Sequence, residues 1–399
     1  MNNSDFQKVL RRSQNISTFR EKYRPIINQG YDNNLQLLPS IDKADLQTGF
    51  DELAQLVRNE GLRTYLFSSG GTTARPLLSL IPCHMFIRDI IQHWHPLNQE
   101  DVLCNLYTPG RMWSAHYFYN ALGEYCAAQT IAFGPLQHEE VHTWLDFFEK
   151  HHVTALAGTP TTLKHILAAC NSRHRSLAFI QKLLWVGEAI DAELAQLLHT
   201  VTPQAQTWGL YGSTETWVMG YNFPECPFDT FHMLPYQYSE IIQERLLITN
   251  LHPDCANILL RYKVGDRAKW AECSCGNTST TIQVLGRNDD SFKLLGTILS
   301  PQEILYNVSL FAKPLKAQMA ILQKPQGEIY LEVRIVPHPS QEIDTNFVRQ
   351  QLLETFYDLK YAVSDKPDCF SVALVSDIYV NHRTHKTPLV VQENVYDNE

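Results

Sequence analysis

From about residue 62 onward, short apolar runs of strand type alternate with segments of helical spacing. The runs are RTYLFSS, VTALAGT, KLLWVGE and AQTWGLYG, and between them lie segments such as EEVHTWLDFFEKHH and DAELAQLLHTV. Parallel strands need crossover connections, so this rhythm predicts a largely parallel sheet covered by helices on both faces. A chain of 399 residues is long enough for one such large domain and a small one.

The flanks have a different texture. Residues 5 to 60 read as helices around the extended stretch LQLLPSIDKADL. After about 235 come shorter β-rich pieces, YSEIIQERLLITN, NILLRYKVGDRAKW and TTIQVLGR. A break follows LGRNDD, which places a boundary at Arg287 to Asp290. Beyond it, AQMAILQKPQGEIYLEVRIV is a hairpin turning at Lys324 to Gly327, and a helix carries Val348, Leu352, Phe356 and Leu359 on one face. A last strand, FSVALVSDIYV, leads into a polar tail. The expected fold class is α/β: a large N-terminal α/β domain with parallel sheets and a small β subdomain over 1–286, then a small α+β domain over 287–399.

Charge and patterning exclude some functions. A net charge of -9 provides no basic field for phosphate backbones, so no nucleic acid is expected as a partner. No apolar run reaches about 18 residues and the N-terminus lacks a signal-type stretch, so no membrane partner is expected and a cytoplasmic location is the default. Nine cysteines is an odd count, and Cys83, Cys104, Cys126 and Cys170 lie singly in apolar surroundings, as reduced core residues do.

Five segments can carry chemistry. FSSGGTTARP, Phe67 to Pro76, follows a strand and offers small residues and paired hydroxyls, so its backbone N–H and side-chain OH groups can wrap an anion. It has no Gly-Lys-Ser/Thr opening a helix, so it is not a Walker A loop. GLYGSTE, Gly209 to Glu215, contains a carboxylate able to carry Mg2+ on triphosphate oxygens. RYKVGDRAKW places Asp266 after a glycine, where a short carboxylate can accept two ribose hydroxyls. LGRNDDSFKLLGTILSPQEIL packs charged residues between apolar strands, and HRTHKTPLV offers Lys386 in a polar loop. Taken singly, each is also what an ordinary solvated turn or tail looks like.

A sixth group is C-x5-H at Cys226 and His232, followed by C-x-C at Cys273 and Cys275. Three thiolates and an imidazole suit tetrahedral Zn2+ in a closed, structural site. Four free side chains near a turn is the competing reading, and Cys255 is a substitute ligand if His232 points away.

In their order and spacing the five segments resemble the adenylate-forming superfamily, and most closely the phenylacetate–coenzyme A ligase family. FSSGGTTARP resembles that family's Ser/Gly/Thr phosphate loop, GLYGSTE its Tyr-Gly-x-Thr-Glu motif, RYKVGD its Arg-Tyr-x-x-Gly-Asp motif and LGRNDDSFKLLGTILSPQEI its hinge. FREKYRP and LPSIDKADL are similar to its opening helices, and several members carry a comparable Cys/His and Cys-x-Cys-Gly arrangement.

The resemblance implies an ATP-dependent ligase that converts a small carboxylic acid into an acyl-adenylate and passes it to coenzyme A. It implies that Ser68, Ser69, Gly70, Gly71, Thr72 and Thr73 hold the β- and γ-phosphates. Tyr211 would lie against adenine within Gly212 and Ser213, Thr214 near the α-phosphate, and Glu215 on Mg2+. Gly187 and Glu188 would approach the base, Asp266 and Arg287 the ribose, with Asp289 as hinge of a mobile C-terminal lid. Lys386 would bridge carboxylate and phosphate during adenylation, with Glu215 and Thr214 beside it in the catalytic set. After the lid rotates, the strand with Gly296 would line the path of the thiol.

The chain departs from the family where Gly-Lys becomes Ala74-Arg75 and where the acyl side reads TPGRMWSAHYFYNALGEY and TWVMGYNF. The acyl pocket is expected at Trp113, His116, Tyr117, Gly158, Trp208, Gly209 and Trp217, whose rings favour a compact aromatic or rigid acid unless they are simply core. A ligase loading a carrier protein or an amine, and a catalytically silent nucleotide-binding homologue, are the alternatives.

Overall fold

The computed structural model describes residues 3–28, 34–68, 78–110, 112–287, 292–294, 297–299, 301–323, 328–364, 366–382 and 386–394. The chain divides into two compact units, residues 1–286 and 287–399.

The first unit opens with helices α1 (Asn3–Ser13), α2 (Ser17–Ile27), α3 (Lys43–Thr48) and α4 (Phe50–Asn59). Their apolar sides, including Phe6, Phe19, Tyr23, Leu53 and Val57, pack on Ile248 and Tyr262 of the sheet and on Leu260 just before the second of these. Strand β1 (Thr64–Ser68) pairs antiparallel with β2 (Leu78–Pro82) in a sheet of its own, not in the parallel set expected for RTYLFSS. Tyr65 and Leu66 on β1 are exposed, so this strand lacks the two-sided burial of a central parallel strand.

The alternation then continues through α5 (Ile87–Ile91), β3 (Val102–Asn105), α6 (Ala115–Tyr125), β4 (Gln129–Ala132), α7 (Val141–Lys150), β5 (Ala155–Gly158), α8 (Pro160–Ser172), β6 (Lys182–Val186), α9 (Ala192–Val201) and β7 (Gln206–Ser213). Strands β4, β3, β5, β6 and β7 lie side by side and parallel. All four residues of β5 are buried, as two-sided cover requires. Caps set where the crossover helices start. The Thr159 side chain accepts from Thr162 N ahead of Pro160, and Asp191 Oδ1 accepts from Leu194 N at 2.7 Å.

The β-rich remainder adds β8 (Trp217–Asn222), β9 (Thr230–Met233), β10 (Gln237–Ile242), β11 (Arg245–Asn250), β12 (Tyr262–Trp270) and β13 (Thr281–Arg287). These continue the same sheet antiparallel, giving eleven strands in the order β10-β11-β12-β13-β9-β8-β7-β6-β5-β3-β4. No helix among the described residues is long and apolar enough to cross a membrane.

The second unit has a short pair, β14 (Phe292–Leu294) with β15 (Thr297–Leu299), then α10 (Pro301–Ala312), β16 (Lys316–Gln323), β17 (Ile329–Val336), α11 (Thr345–Thr355), α12 (Tyr357–Ala362), β18 (Phe370–Leu374) and β19 (Val390–Asn394). Its four-stranded sheet runs β18-β17-β16-β19, with β16 and β17 antiparallel and both outer strands parallel to their neighbours. Met319, Leu331, Val333 and Ile335 face Val308 of α10 and Leu352 of α11 across a buried core. Two expectations change here. The single helical face breaks at Phe356, whose extended backbone separates α11 from α12. The strand starting at Phe370 ends at Leu374, and the tail supplies β19 instead. Alternating apolarity could not show that second change, because the backbone beyond Leu374 is held by hydrogen bonds to β16 and β17.

Candidate functional site

Buried polar side chains fix the C-terminal ends of the parallel strands, where open α/β sheets bind ligands. The Tyr107 hydroxyl, just past β3, donates to the Gly158 carbonyl at 2.8 Å and accepts from Val186 N at 2.9 Å. It thereby ties β3, β5 and β6 together. His116, buried in the first turn of α6, donates from Nδ1 to the Tyr107 carbonyl at 2.7 Å. Tyr119 stacks on Tyr107 at 4.7 Å, and burial holds the Tyr107 phenol well above its ordinary pKa, so it stays protonated as a donor. Next to this lock, Glu188 Oε2 accepts from Thr161 N at 2.9 Å and Thr161 Oγ1 at 2.7 Å, capping α8. The other oxygen, Oε1, is buried without a hydrogen-bond partner among the described residues. Gly187 before it has φ 95°, a backbone that favours glycine.

The GLYGSTE segment forms the end of β7 and its turn into β8. A β-bulge falls between Tyr211 and Gly212. A Cβ on Gly212 would collide with the backbone carbonyl of Trp217, so the strands close only over glycine. Ser213 and Thr216 brace the turn, with their hydroxyls 3.0 Å apart and the Thr216 N donating to Ser213 Oγ at 3.2 Å. Thr214 and Glu215 sit at the tip, and Glu215 is buried. Buried Asn257 donates to the Glu215 carbonyl at 3.0 Å and to Ser79 Oγ at 2.6 Å, fastening the tip to β2. Gly212→Ala is expected to lower stability by about 1–3 kcal/mol through overpacking against immovable backbone, read as a shift in urea midpoint.

Asp266 lies in mid-strand rather than in a turn. It is buried in β12 after Gly265, whose φ is 90° where the β11–β12 register shifts. The Tyr211 hydroxyl donates to Asp266 Oδ2, so the two residues singled out by separate motifs meet. The Tyr211 ring packs on Phe231 at 5.1 Å. Arg287 ends β13, half-buried. Ser68 is buried at the end of β1, its N–H donating to Met112 O at 3.0 Å, while Ser69, Gly70, Gly71, Thr72, Thr73 and Asp289 lie outside the described residues, as do Ala74, Arg75 and Gly296.

The residues expected on the acyl side fall into two aromatic groups within one core. Trp217 stacks on Phe67 at 6.0 Å and 11° and meets Phe118 edge-on at 5.9 Å, while Tyr117 reaches Phe67 at 5.9 Å. Trp208 instead joins Trp94 and Phe223. Gly209 turns the other way, because a Cβ there would stand 2.5 Å from the Trp185 ring. Trp113 is half-buried, its backbone N–H donating to the Gly110 carbonyl at 2.9 Å. Trp217 has φ 62°, and its indole donates to the carbonyl of Met85 at 2.9 Å; Met85 and Phe86 have φ 49° and 55°. Three bulky residues thus hold left-handed backbone at one contact. Tyr107 and Asn257 shape this region without belonging to any motif, while Phe67 and Phe118 do so from within FSSGGTTARP and TPGRMWSAHYFYNALGEY, where neither was singled out; Tyr107 follows a strand end in NLYTPG, where such residues gather.

The profile of the AMP-binding enzyme family matches residues 20–235, more than half of the chain. The chain belongs to the AMP-binding enzyme family. By fold, this AMP-binding enzyme is similar to 2-hydroxyisobutyryl-CoA ligase in complex with 2-HIB-AMP, with TM-score 0.68, 16% identity, and coverage of 98% of this chain and 88% of that one. It is also similar to the anthranilate CoA ligase in complex with anthranoyl-AMP, with TM-score 0.56 and 15% identity over 81% of this chain and 64% of that one. In sequence it is 26% identical over 149 residues to indoleacetate–lysine synthetase of Pseudomonas savastanoi, 37% of this chain and 36% of that protein. The match therefore spans little more than a third of that relative's length.

In the second unit of this AMP-binding enzyme, Lys386 is half-buried between β18 and β19, and its carbonyl accepts from Asn381 N at 2.8 Å. In the first unit, the ligand atoms of Cys226, His232, Cys273 and Cys275 all lie within 4.8 Å of one another. His232 Nε2 is 3.1 Å from Cys275 Sγ and 3.5 Å from Cys226 Sγ, and the Cys226 and Cys273 sulfurs are 3.3 Å apart. Ligands of tetrahedral zinc stand about 3.4–3.8 Å apart, given bonds of about 2.0–2.3 Å. The orientation of the imidazole also fits. Thr281 Oγ1, which gives its proton to the Ser279 carbonyl at 2.9 Å, stands 3.0 Å from His232 Nδ1; Ser279 Oγ stands 3.1 Å from the same nitrogen, and both oxygens are able to accept from it. A proton on Nδ1 leaves the Nε2 lone pair turned toward the sulfurs, the arrangement a metal-ligating imidazole needs. Burial lowers the His232 pKa, which favours the neutral, ligating ring. Cys255 is buried elsewhere, its thiol donating to Asn257 O at 3.1 Å, and is not part of the cluster.

Proposed function

We propose that the chain activates a small carboxylic acid with ATP as an acyl-adenylate, then transfers the acyl group to coenzyme A and releases AMP. The observation that carries this reading is the Tyr211–Asp266 hydrogen bond beside the buried Glu215 tip, within a chain of the AMP-binding family. The pair offers a flat ring for adenine and a carboxylate for ribose hydroxyls. Ser68, Ser69, Gly70, Gly71, Thr72 and Thr73 hold the outer phosphates, with Gly187 and Glu188 near the base and Arg287 on the ribose. Glu215 would hold Mg2+, which supplies charge compensation on the triphosphate.

The carboxylate of the acid is ionised near neutral pH and attacks the α-phosphorus, forming a C–O–P anhydride as pyrophosphate leaves. Little proton transfer is needed, so alignment and charge stabilisation by Thr214 and Lys386 dominate the rate. In the second half-reaction the thiolate of coenzyme A attacks the acyl carbon and AMP departs. Residues 1–286 thus serve ATP and acid, and 287–399 carry the lysine, with Asp289 as hinge. The cluster of Cys226, His232, Cys273 and Cys275 would hold one structural Zn2+, supported by its donor set and separations.

The aromatic group of Trp217, Phe67, Phe118 and Tyr117 favours a compact aryl acid, with Trp113, His116, Gly158, Trp208 and Gly209 in the same region. ATP–pyrophosphate exchange should be faster with indole-3-acetate, phenylacetate or benzoate than with long-chain fatty acids; turnover of fatty acids alone would overturn this. An amine acceptor is the second reading, favoured by the similarity to a protein whose name joins indoleacetate to lysine. Adding coenzyme A, lysine or a carrier protein after adenylation separates the acceptors.

A further inference from the structure

We infer that Gln318 is a positioning residue for Lys386, a role that rests on the adenylation function proposed for that lysine. Gln318 lies on β16 next to Met319, which faces the core of the second unit, so its side chain projects from the opposite face of the sheet. It is fully buried, and its amide makes three hydrogen bonds to the segment that carries Lys386. Nε2 donates to the Tyr379 carbonyl at 3.0 Å and to the Pro388 carbonyl at 2.7 Å, and Oε1 accepts from Tyr379 N at 2.9 Å.

One side chain therefore grips the chain on both sides of Lys386. It treats Tyr379 as a strand would, bonding its N–H and its C=O, while its second proton holds the returning stem at Pro388. Two further bonds complete the closure: Asn381 N to Lys386 O at 2.8 Å, and Met319 N to Leu389 O at 2.9 Å where β19 begins. A buried side chain with both amide protons committed is a costly way to fill a sheet face, since leaving such groups unpaired carries a desolvation penalty. A loop that must present an ammonium within hydrogen-bond distance of a reacting phosphate needs this kind of restraint, because small misplacements strongly slow a reaction that depends on alignment.

The test uses the full chain and the acid with the fastest pyrophosphate exchange in the panel above. Gln318→Met keeps length and volume but removes the three bonds. It should slow adenylation by about 10- to 100-fold, leave transfer from a supplied acyl-adenylate to coenzyme A within about twofold, and add little to Lys386→Ala in the double variant. Gln318→Glu, which keeps the acceptor for Tyr379 N but sets a carboxylate against two carbonyls, should act in the same direction and serves if the Met variant does not melt cooperatively. Equal slowing of both half-reactions, or an undiminished effect in the Lys386→Ala background, would reduce Gln318 to a structural role and overturn the inference. If Lys386→Ala itself leaves adenylation intact, the reading of the lysine fails, and the positioning role fails with it.

Discussion

Replacing Lys386 with alanine should slow acyl-adenylate formation by about 10²-fold or more while leaving acyl transfer near the rate of the unaltered protein. The expectation follows from what the first half-reaction requires. An anionic carboxylate must approach an anionic α-phosphate, and a compact ammonium with three donors can contact both at once. Acyl transfer involves a thiolate and a mixed anhydride whose phosphate is departing as AMP, so a cation aimed at the first encounter contributes little to the second. Lys360 is exposed on α12, and its replacement should matter much less. Pre-steady-state measurement of pyrophosphate release, set against transfer from synthetic acyl-adenylate to coenzyme A, distinguishes the cases. Equal loss in both steps, or loss in neither, would sink the division of labour.

Removal of metal should be the second large effect, and it should act on stability before activity. Protein purified without chelator is expected to carry about one zinc per chain. Cys226 lies in the β8–β9 connection and His232 on β9, while Cys273 and Cys275 lie between β12 and β13, so one ion would cross-link two stretches of the same sheet. With free zinc about a thousandfold above its dissociation constant, binding contributes about 4 kcal/mol, or roughly 5–7 °C in melting temperature for a unit of this size. Cys273→Ser should lose the metal and most of that increment, while Cys83→Ser, at a cysteine outside the cluster that is exposed rather than in the core its apolar neighbours suggested, should leave both unchanged. Unchanged metal content and melting temperature in Cys273→Ser would remove this residue from the site.

The sequence made the framework legible wherever local chemistry and tertiary placement agree. VTALAGT and KLLWVGE become β5 and β6 because their apolar residues are buried by helices on both sides. The Cys/His group could be found because thiolate and imidazole spacing has few other uses, and the structure brings those four side chains together. Less could be read where the decisive partner is remote in sequence. RTYLFSS has strand composition, but nothing in it says that it pairs with Leu78–Pro82 rather than with the parallel set. Asp266 looked like a turn residue after glycine, and only its meeting with Tyr211, 55 positions away, explains its burial. Gln318 carries no motif at all, because what distinguishes it is the pair of carbonyls at Tyr379 and Pro388 that it reaches.

Met85, Phe86 and Trp217 hold left-handed backbone at the point where the Trp217 indole meets the Met85 carbonyl. Each such residue costs about 1–2 kcal/mol relative to the right-handed form, so the wall against Phe67 and Phe118 is maintained at the expense of overall stability. Selection for thermal tolerance alone would tend to relax these turns, for instance through glycine at 85 or 86. Under the proposed acyl-pocket role of this aromatic group, a sturdier protein obtained that way is expected to lose the constraint on one of its faces, and with it some discrimination among acids. On that proposal robustness and selectivity are opposed at this contact, and directed evolution of the enzyme would have to screen for both.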